Sequence, residues 1–187
     1  MIQDNGVRRE FSSGAVRDVA EGKGRCDLLP LEIVGEYLQD NILYLIERFQ
    51  RTGDTDYLYR AIQEFTPKFN DKYTMILEVA KHYEEGANKY AERNWEKGIP
   101  SHCYIDSAVR HYLKFKRGDD DERHDRAFVW NLLCCIWTMR NREEMIEYPL
   151  DTHSETTENV KEWTDKLAEL RVKTEAVKND TLDGCNR

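Results

Sequence analysis

The stretch Ala127-Phe-Val-Trp-Asn-Leu-Leu-Cys-Cys-Ile-Trp-Thr-Met139 is apolar almost all round, relieved mainly by Asn131 and Thr138. A surface helix carries a single apolar stripe, so a segment that is apolar on every side predicts the buried centre of a helical bundle. The acidic run Asp119-Asp-Asp-Glu122 precedes it and brings negative charge suited to the positive end of a helix dipole. Outward from this segment, apolar residues recur at three- and four-residue spacing, and only four prolines and ten glycines interrupt the chain, so no stretch reads as a strand. From Leu31, one stripe joins Val34, Tyr37, Leu38, Ile42, Leu45, Ile46 and Phe49 and ends at the turn Thr52-Gly53-Asp54. Leu58, Ala61, Ile62 and Phe65 make a short helix closed by Pro67, and Ile76, Ala80, Tyr83, Ala87 and Tyr90 make the next stripe, followed by a loop from Asn94 to Pro100. A helix from about Tyr104 to Phe115 stops at Gly118, and the central helix is expected to end at Pro149. A last polar helix sets Val160, Trp163, Leu167, Leu170, Thr174 and Val177 at heptad spacing and needs a partner to cover Trp163, which predicts a homo-oligomer. The ends, up to about Ser13 and after Asn179, read as flexible.

The expected fold is therefore an all-α antiparallel helical bundle. Residues 1–30 form an N-terminal arm, 31–150 the core and 151–187 a C-terminal helix and tail. At 187 residues the chain suits one domain with extras, and 40% apolar with 34% charged residues is ordinary globular composition. The net charge of −8 argues against general nucleic-acid binding, which depends on neutralising many phosphates. A small nucleotide stays open as a ligand, since a local cluster of Lys and Arg can grip a triphosphate. No apolar run reaches the roughly 20 residues of a bilayer span, and the first thirty residues lack a secretory apolar block, so the expectation is a cytoplasmic protein with no membrane role. The five cysteines have no CxxC spacing and read as reduced core thiols.

Two polar segments flank the predicted core helices. Gly86-Ala-Asn-Lys-Tyr-Ala-Glu-Arg-Asn-Trp-Glu-Lys-Gly-Ile-Pro100 gathers Lys89, Glu92, Arg93, Asn94 and Lys97 around Tyr90 and Trp95. It is either a helix end with a solvated loop or a phosphate-gripping loop beside rings able to stack on a base. In Asp106-Ser-Ala-Val-Arg-His111 the i, i+4 spacing puts Asp106 beside Arg110 as an ordinary ion pair. Beyond it, Asp121 and Glu122 each share a helical face with Asp125, so a paired-carboxylate site for a hard cation is geometrically possible, although a solvated helix start is the commoner meaning of such a run. His111 and His124 read as core or capping residues, and His82 between Glu78 and Glu85 imitates a zinc site on a face where glutamates are commonplace. P-loop, Rossmann and α/β-hydrolase signatures are absent from the sequence.

The residues carry more than the periodicity does. Ser13-Gly-Ala-Val-Arg-Asp18, Glu21-Gly-Lys-Gly-Arg25 and Asp27-Leu-Leu-Pro30, then the 86–100 segment, Asp106-Ser-Ala-Val-Arg-His111, Gly118, Asp121-Glu122, His124 and Trp130-Asn131 resemble, in order and spacing, the dATP/dGTP diphosphohydrolase (MazZ-like) family. The resemblance spans about residues 13–147, interrupted by a longer than usual segment between roughly Glu32 and Lys72. It implies an all-α fold related to MazG-like NTP pyrophosphohydrolases, which cleave a nucleoside triphosphate between its α and β phosphates, using carboxylates on adjacent helices to hold divalent ions. Carried onto matching positions, it implies Glu92, Asp106, Asp121 and Glu122 as ligands of Mg2+ or Mn2+, with Asp106, Asp121 and Glu122 also as catalytic acids or bases. It implies Lys89, Arg93, Lys97 and Arg110 as phosphate contacts, and Tyr90 or Trp95 against the base. Asn94, His111, His124 and Asn131 are further polar motif residues of the substrate site. Asp125 replaces the apolar residue usual after the motif histidine, and the Glu-x-x-Glu and Glu-x-x-Asp pattern of MazG-like relatives is only partly present in Glu122-Arg-His-Asp125.

The resemblance implies an enzyme acting on dNTPs in phage nucleotide-pool remodelling, within an infected bacterial host. A binding protein that sequesters a nucleotide in the same pocket is the alternative, and a helical adaptor using the heptad tail is a third reading.

Overall fold

The computed structural model describes residues 6–149, within a compact unit that ends at Asp151; the expected helix around Trp163, and Cys185, lie outside the described residues. The described residues are mostly helical: α1 Leu31–Leu38, α2 Asn41–Thr52, α3 Asp56–Phe65, α4 Lys72–Tyr90, α5 Ser101–Arg117 and α6 His124–Asn141, preceded by an antiparallel hairpin of β1 Arg8–Glu10 and β2 Val16–Asp18.

α6 is the central helix, with residues from Ala127 to Thr138 buried on most sides. α5 packs against it in antiparallel sense, so that His111 meets His124, Tyr112 meets Phe128 and Tyr104 meets Trp130. Gly118 ends α5 as expected, in the left-handed conformation (φ 88°) with its N–H returned to the carbonyls of Lys114 and Phe115. The Phe65 ring is the hub at the α3 end, edge-on to Phe69, Tyr112, Phe115 and Phe128 at centroid distances of 4.8–5.9 Å. Such edge-to-face pairs add about 0.5–1.5 kcal/mol each beyond the buried area.

Four sequence expectations are corrected. The single stripe from Leu31 to Phe49 is two helices, because Gln39 turns left-handed (φ 55°) and Asp40 caps α2 by accepting from the Ile42 N–H at 3.1 Å. The buried Asp40 carboxylate also accepts from Tyr112 Oη at 2.6 Å and Lys116 Nζ at 2.9 Å, tying this corner to α5. On α4 the buried face is Met75, Val79 and His82, whereas Ile76 is half exposed. A buried histidine disguised that face from any apolar periodicity. The central helix stops at Asn141, well before Pro149, where Arg142 leaves helical geometry and donates from Nε and Nη2 to the Glu96 carbonyl at 2.9 and 2.6 Å.

The fourth correction concerns the N-terminal arm. Arg8–Glu10 is ordered as a strand, paired Arg8 to Asp18, Arg9 to Arg17 and Glu10 to Val16. An isolated two-stranded hairpin is marginal in water. Here tertiary contacts hold it: the Asn94 side chain bonds both the N–H and the carbonyl of Val16, at 3.0 and 2.9 Å, and Ser13 Oγ donates to the Gly98 carbonyl. The long segment between Glu32 and Lys72 supplies α1 to α3, and from it Gln50 Nε2 donates to the Asp27 carbonyl at 2.9 Å, while Glu47 accepts from the Leu31 N–H at 2.9 Å. It thereby braces the chain that leads out of the hairpin. Cys103, Cys134 and Cys135 are buried free thiols, and burial raises Cys134 to a pKa of about 12, so it packs as an apolar group.

Candidate active site

The hairpin, the C-terminal half of α4, the middle of α5, the loop before α6 and the start of α6 enclose a cavity of about 760 Å³. That volume suits a ligand of nucleotide size. The cavity lining holds the cations Arg17, Lys23, Arg110 and Lys114 alongside carboxylates that include Asp18, Asp106, Asp121 and Glu122. Arg17 comes from β2 and donates to the Cys103 carbonyl (3.1 Å), Ser107 Oγ (3.1 Å) and Asn131 Oδ1 (2.9 Å), over the rings of Tyr104 and Trp130. Its acceptors are all neutral, and among the described residues no carboxylate pairs with it. Lys23 sits in a tight loop whose carbonyls, Lys23 and Gly24, accept from Arg110 at 3.3 and 2.9 Å. Burial first, then the charges of Arg110, Lys89 and Arg17, lower the Lys23 pKa against the opposing pull of Asp18. Cations crowded in this way favour an anion between them.

The acidic side of the cavity is a loop, not a helix face. α6 begins at His124, so Asp121 and Glu122 lie before it, and Asp125 turns to Arg123 at 2.7–3.0 Å. The expected sharing of a face with Asp125 is thus corrected, because Arg123 competes for that carboxylate. Asp121 accepts from Lys114 Nζ at 2.8 Å and from His124 Nε2 at 2.7 Å; these bonds lower its pKa to about 2. The His111 and His124 Nδ1 atoms stand 2.9 Å apart, with Glu122 Oε1 at 3.4 and 3.6 Å from them. Burial, with the neighbouring His124 next, pushes the His111 pKa well below the usual imidazole value, so it is neutral at pH 7. His82 is held to a pKa of about 4 by burial and then by the charge of Arg126; its ring packs on Trp130 at 5.3 Å, away from the zinc site its spacing imitated.

Of the residues expected in the site, Asp106, Asp121, Glu122, Glu92, Tyr90, Arg93, Asn94, Trp95, Arg110, His111 and Asn131 line this one cavity. His124 lies behind His111 and reaches the site through it. Lys89 is turned to Asp18 at 2.7 Å, and Lys97 faces away, toward the Gly14 carbonyl at 3.4 Å. The four expected metal carboxylates do not converge. Asp106 is engaged by the Cys26 N–H at 2.7 Å and by Arg110, Glu92 is an exposed residue at the rim, and donor atoms within 4.8 Å of one another occur instead in His111, Glu122 and His124 and in Asp119, Asp121 and His124. Asn94 braces the hairpin with both ends of its amide, and Arg93 pairs with Glu96 at the exposed rim. At that rim Ala91 (φ 133°) and Arg93 (φ 53°) are held in backbone conformations that side chains rarely adopt. Arg17, Lys23 and Lys114 were missed as site residues. Arg17 and Lys23 stood in the quoted N-terminal motifs, and Lys114 follows Arg110 by one helical turn, which was the available signal.

Fold and cavity together define an all-α protein with an interhelical pocket that gathers Lys and Arg side chains beside histidine and carboxylate donors. Residues 72–147 match the family model described as dATP/dGTP diphosphohydrolase, N-terminal. The match begins at the first residue of α4 and ends at Glu147, whose carboxylate accepts from the His102 N–H at 3.1 Å. No curated protein and no solved structure matches the chain. Among the described residues no helix is long and apolar enough to cross a membrane.

Proposed function

We propose that this protein hydrolyses the purine deoxynucleoside triphosphates dATP and dGTP to the monophosphate and pyrophosphate. The observation that carries the reading is the gathering of Arg17, Lys23, Arg110 and Lys114 with Asp121 and Glu122 in the lining of one cavity, beside a segment that matches a family model described by that activity. The cations bind the triphosphate and Tyr90, Tyr83 and Trp130 give the cavity a wall of rings for the base. Arg110, fixed by Asp106, holds the Lys23 loop in place. Water oxygen bonds to the α phosphorus, the bond to the α–β bridging oxygen breaks, pyrophosphate leaves, and the proton of the attacking water passes to a carboxylate of the acidic loop. The donor set fits a divalent ion: Glu122 would hold Mg2+ or Mn2+ with Asp121 bonded behind His124, and the ion would supply neutralisation of phosphate charge and a lower pKa for water.

On this reading the protein acts on free nucleotide in the cytoplasm, in the phage setting the resemblance implies, as a homo-oligomer. Asp121→Asn and Glu122→Gln keep side-chain volume while removing charge, so each should abolish turnover with an unchanged circular dichroism spectrum. A sequestering protein would instead retain nucleotide tightly and release no pyrophosphate over hours.

A further inference from the structure

We propose that His111 Nδ1, His124 Nδ1 and Glu122 Oε1 form a binding site for one divalent transition-metal ion, Mn2+ or a neighbour in its series, in preference to Mg2+. Three observations carry this. The first is size: the three atoms make a triangle with edges of 2.9, 3.4 and 3.6 Å. Ligands bound at about 2.1 Å to one ion stand about 3.0 Å apart in octahedral and about 3.4 Å apart in tetrahedral arrangement. A triangle of these dimensions leaves a point about 2.1 Å from all three corners.

The second is orientation. Asp121 Oδ1 lies 2.7 Å from His124 Nε2, an arrangement in which Nε2–H donates to the ionised carboxylate and the Nδ1 lone pair is left directed at His111 and Glu122. A carboxylate behind an imidazole in this way fixes the tautomer and ring angle that a metal ligand needs. The third is charge. Glu122 is largely buried, and among the described residues no Lys or Arg pairs with it and its ionic neighbours are the two histidines. A carboxylate withdrawn from water without a cationic partner is costly, and an ion on its open side removes that cost.

The competing group, Asp119, Asp121 and His124, is already satisfied: Arg117 pairs with Asp119 at 2.6 Å and Lys114 with Asp121 at 2.8 Å. Two imidazole nitrogens with one carboxylate suit Mn2+, Fe2+, Co2+ or Zn2+, whereas Mg2+ demands oxygen ligands. His111 and Glu122 line the cavity, so an ion there faces Arg110 and Lys114 and the phosphates between them. The inference deepens the metal-dependent reading above and rests on it for what the ion does, but binding is tested without substrate.

The full chain, stripped by chelation, is titrated with Mn2+ alone while electron paramagnetic resonance follows the free ion, and spin-echo modulation reads directly bound nitrogen. The expected result is one site with 14N modulation, at least tenfold weaker in His111→Ala and in Glu122→Gln, and weakened about tenfold in Asp121→Asn by loss of the orienting carboxylate. Mn2+ binding without nitrogen modulation, or binding unchanged in His111→Ala, overturns the proposal, as does displacement of Mn2+ by equimolar Mg2+. If the buried His124→Ala does not fold, the wild-type modulation still decides. A protein that binds Mn2+ through nitrogen but leaves dNTPs intact upholds this site and defeats the diphosphohydrolase reading; turnover with Mg2+ and no bound nitrogen does the reverse.

Discussion

Arg17 Nη2 donates to Asn131 Oδ1 at 2.9 Å, and this bond joins the N-terminal hairpin to the central helix across the cavity floor. Asn131 is itself locked, since its Nδ2 donates to the Ala127 carbonyl at 2.8 Å. A guanidinium held only by neutral acceptors is both a structural pin and a waiting anion contact. Arg17→Lys keeps the charge but loses the planar fork, so KM for dGTP should rise about ten- to a hundredfold, as loss of about 1.5–3 kcal/mol of charge-assisted bonding implies. The variant should remain folded, with kcat changed much less. An unchanged KM would make Arg17 a packing residue only.

Ala91 follows α4 with φ 133° and ψ 159°, a region that glycine occupies freely. Ala91→Gly should therefore stabilise the protein by about 1 kcal/mol in urea unfolding. A loss of stability would show that the conformation carries no strain and that added chain freedom dominates.

His102 lies between Cys103 Sγ, 3.3 Å from its Nε2, and the Glu147 carboxylate; hydrogen bonds to Cys103 first and Glu147 second raise its pKa to about 9. A raised folded-state pKa means that the charged form is favoured by folding. The stabilisation is complete below about pH 6.5 and disappears as pH rises through about 9. Glu147→Gln should flatten that decline, measured as unfolding free energy across the same range. An NMR titration placing His102 near its ordinary value would refute this.

The helices with strong signals were legible. α6 declared itself because almost every position from Ala127 to Met139 is apolar, and α5 because Gly118 stops it. The hairpin was not, because three-residue strands have no periodicity and its two strands are held by partners distant in sequence, Cys103 for Arg9 and Asn94 for Val16. The site was legible in membership more than in geometry. Motif order gathered Asp106, Arg110, His111, Asp121 and Glu122, yet helix spacing paired Asp121 and Glu122 with Asp125, which the loop ahead of His124 prevents. His111 and His124 meet only because α5 and α6 turn back on each other through Gly118, a relation that neither local sequence contains.

The most direct test of the account is the identity of the products. dGTP incubated with the purified full chain and Mn2+, and followed by 31P NMR, should yield dGMP and pyrophosphate in equal amounts. Orthophosphate as the first product would move the attack away from the α–β linkage, and intact dGTP after hours would leave a binding protein; either result contradicts the assignment.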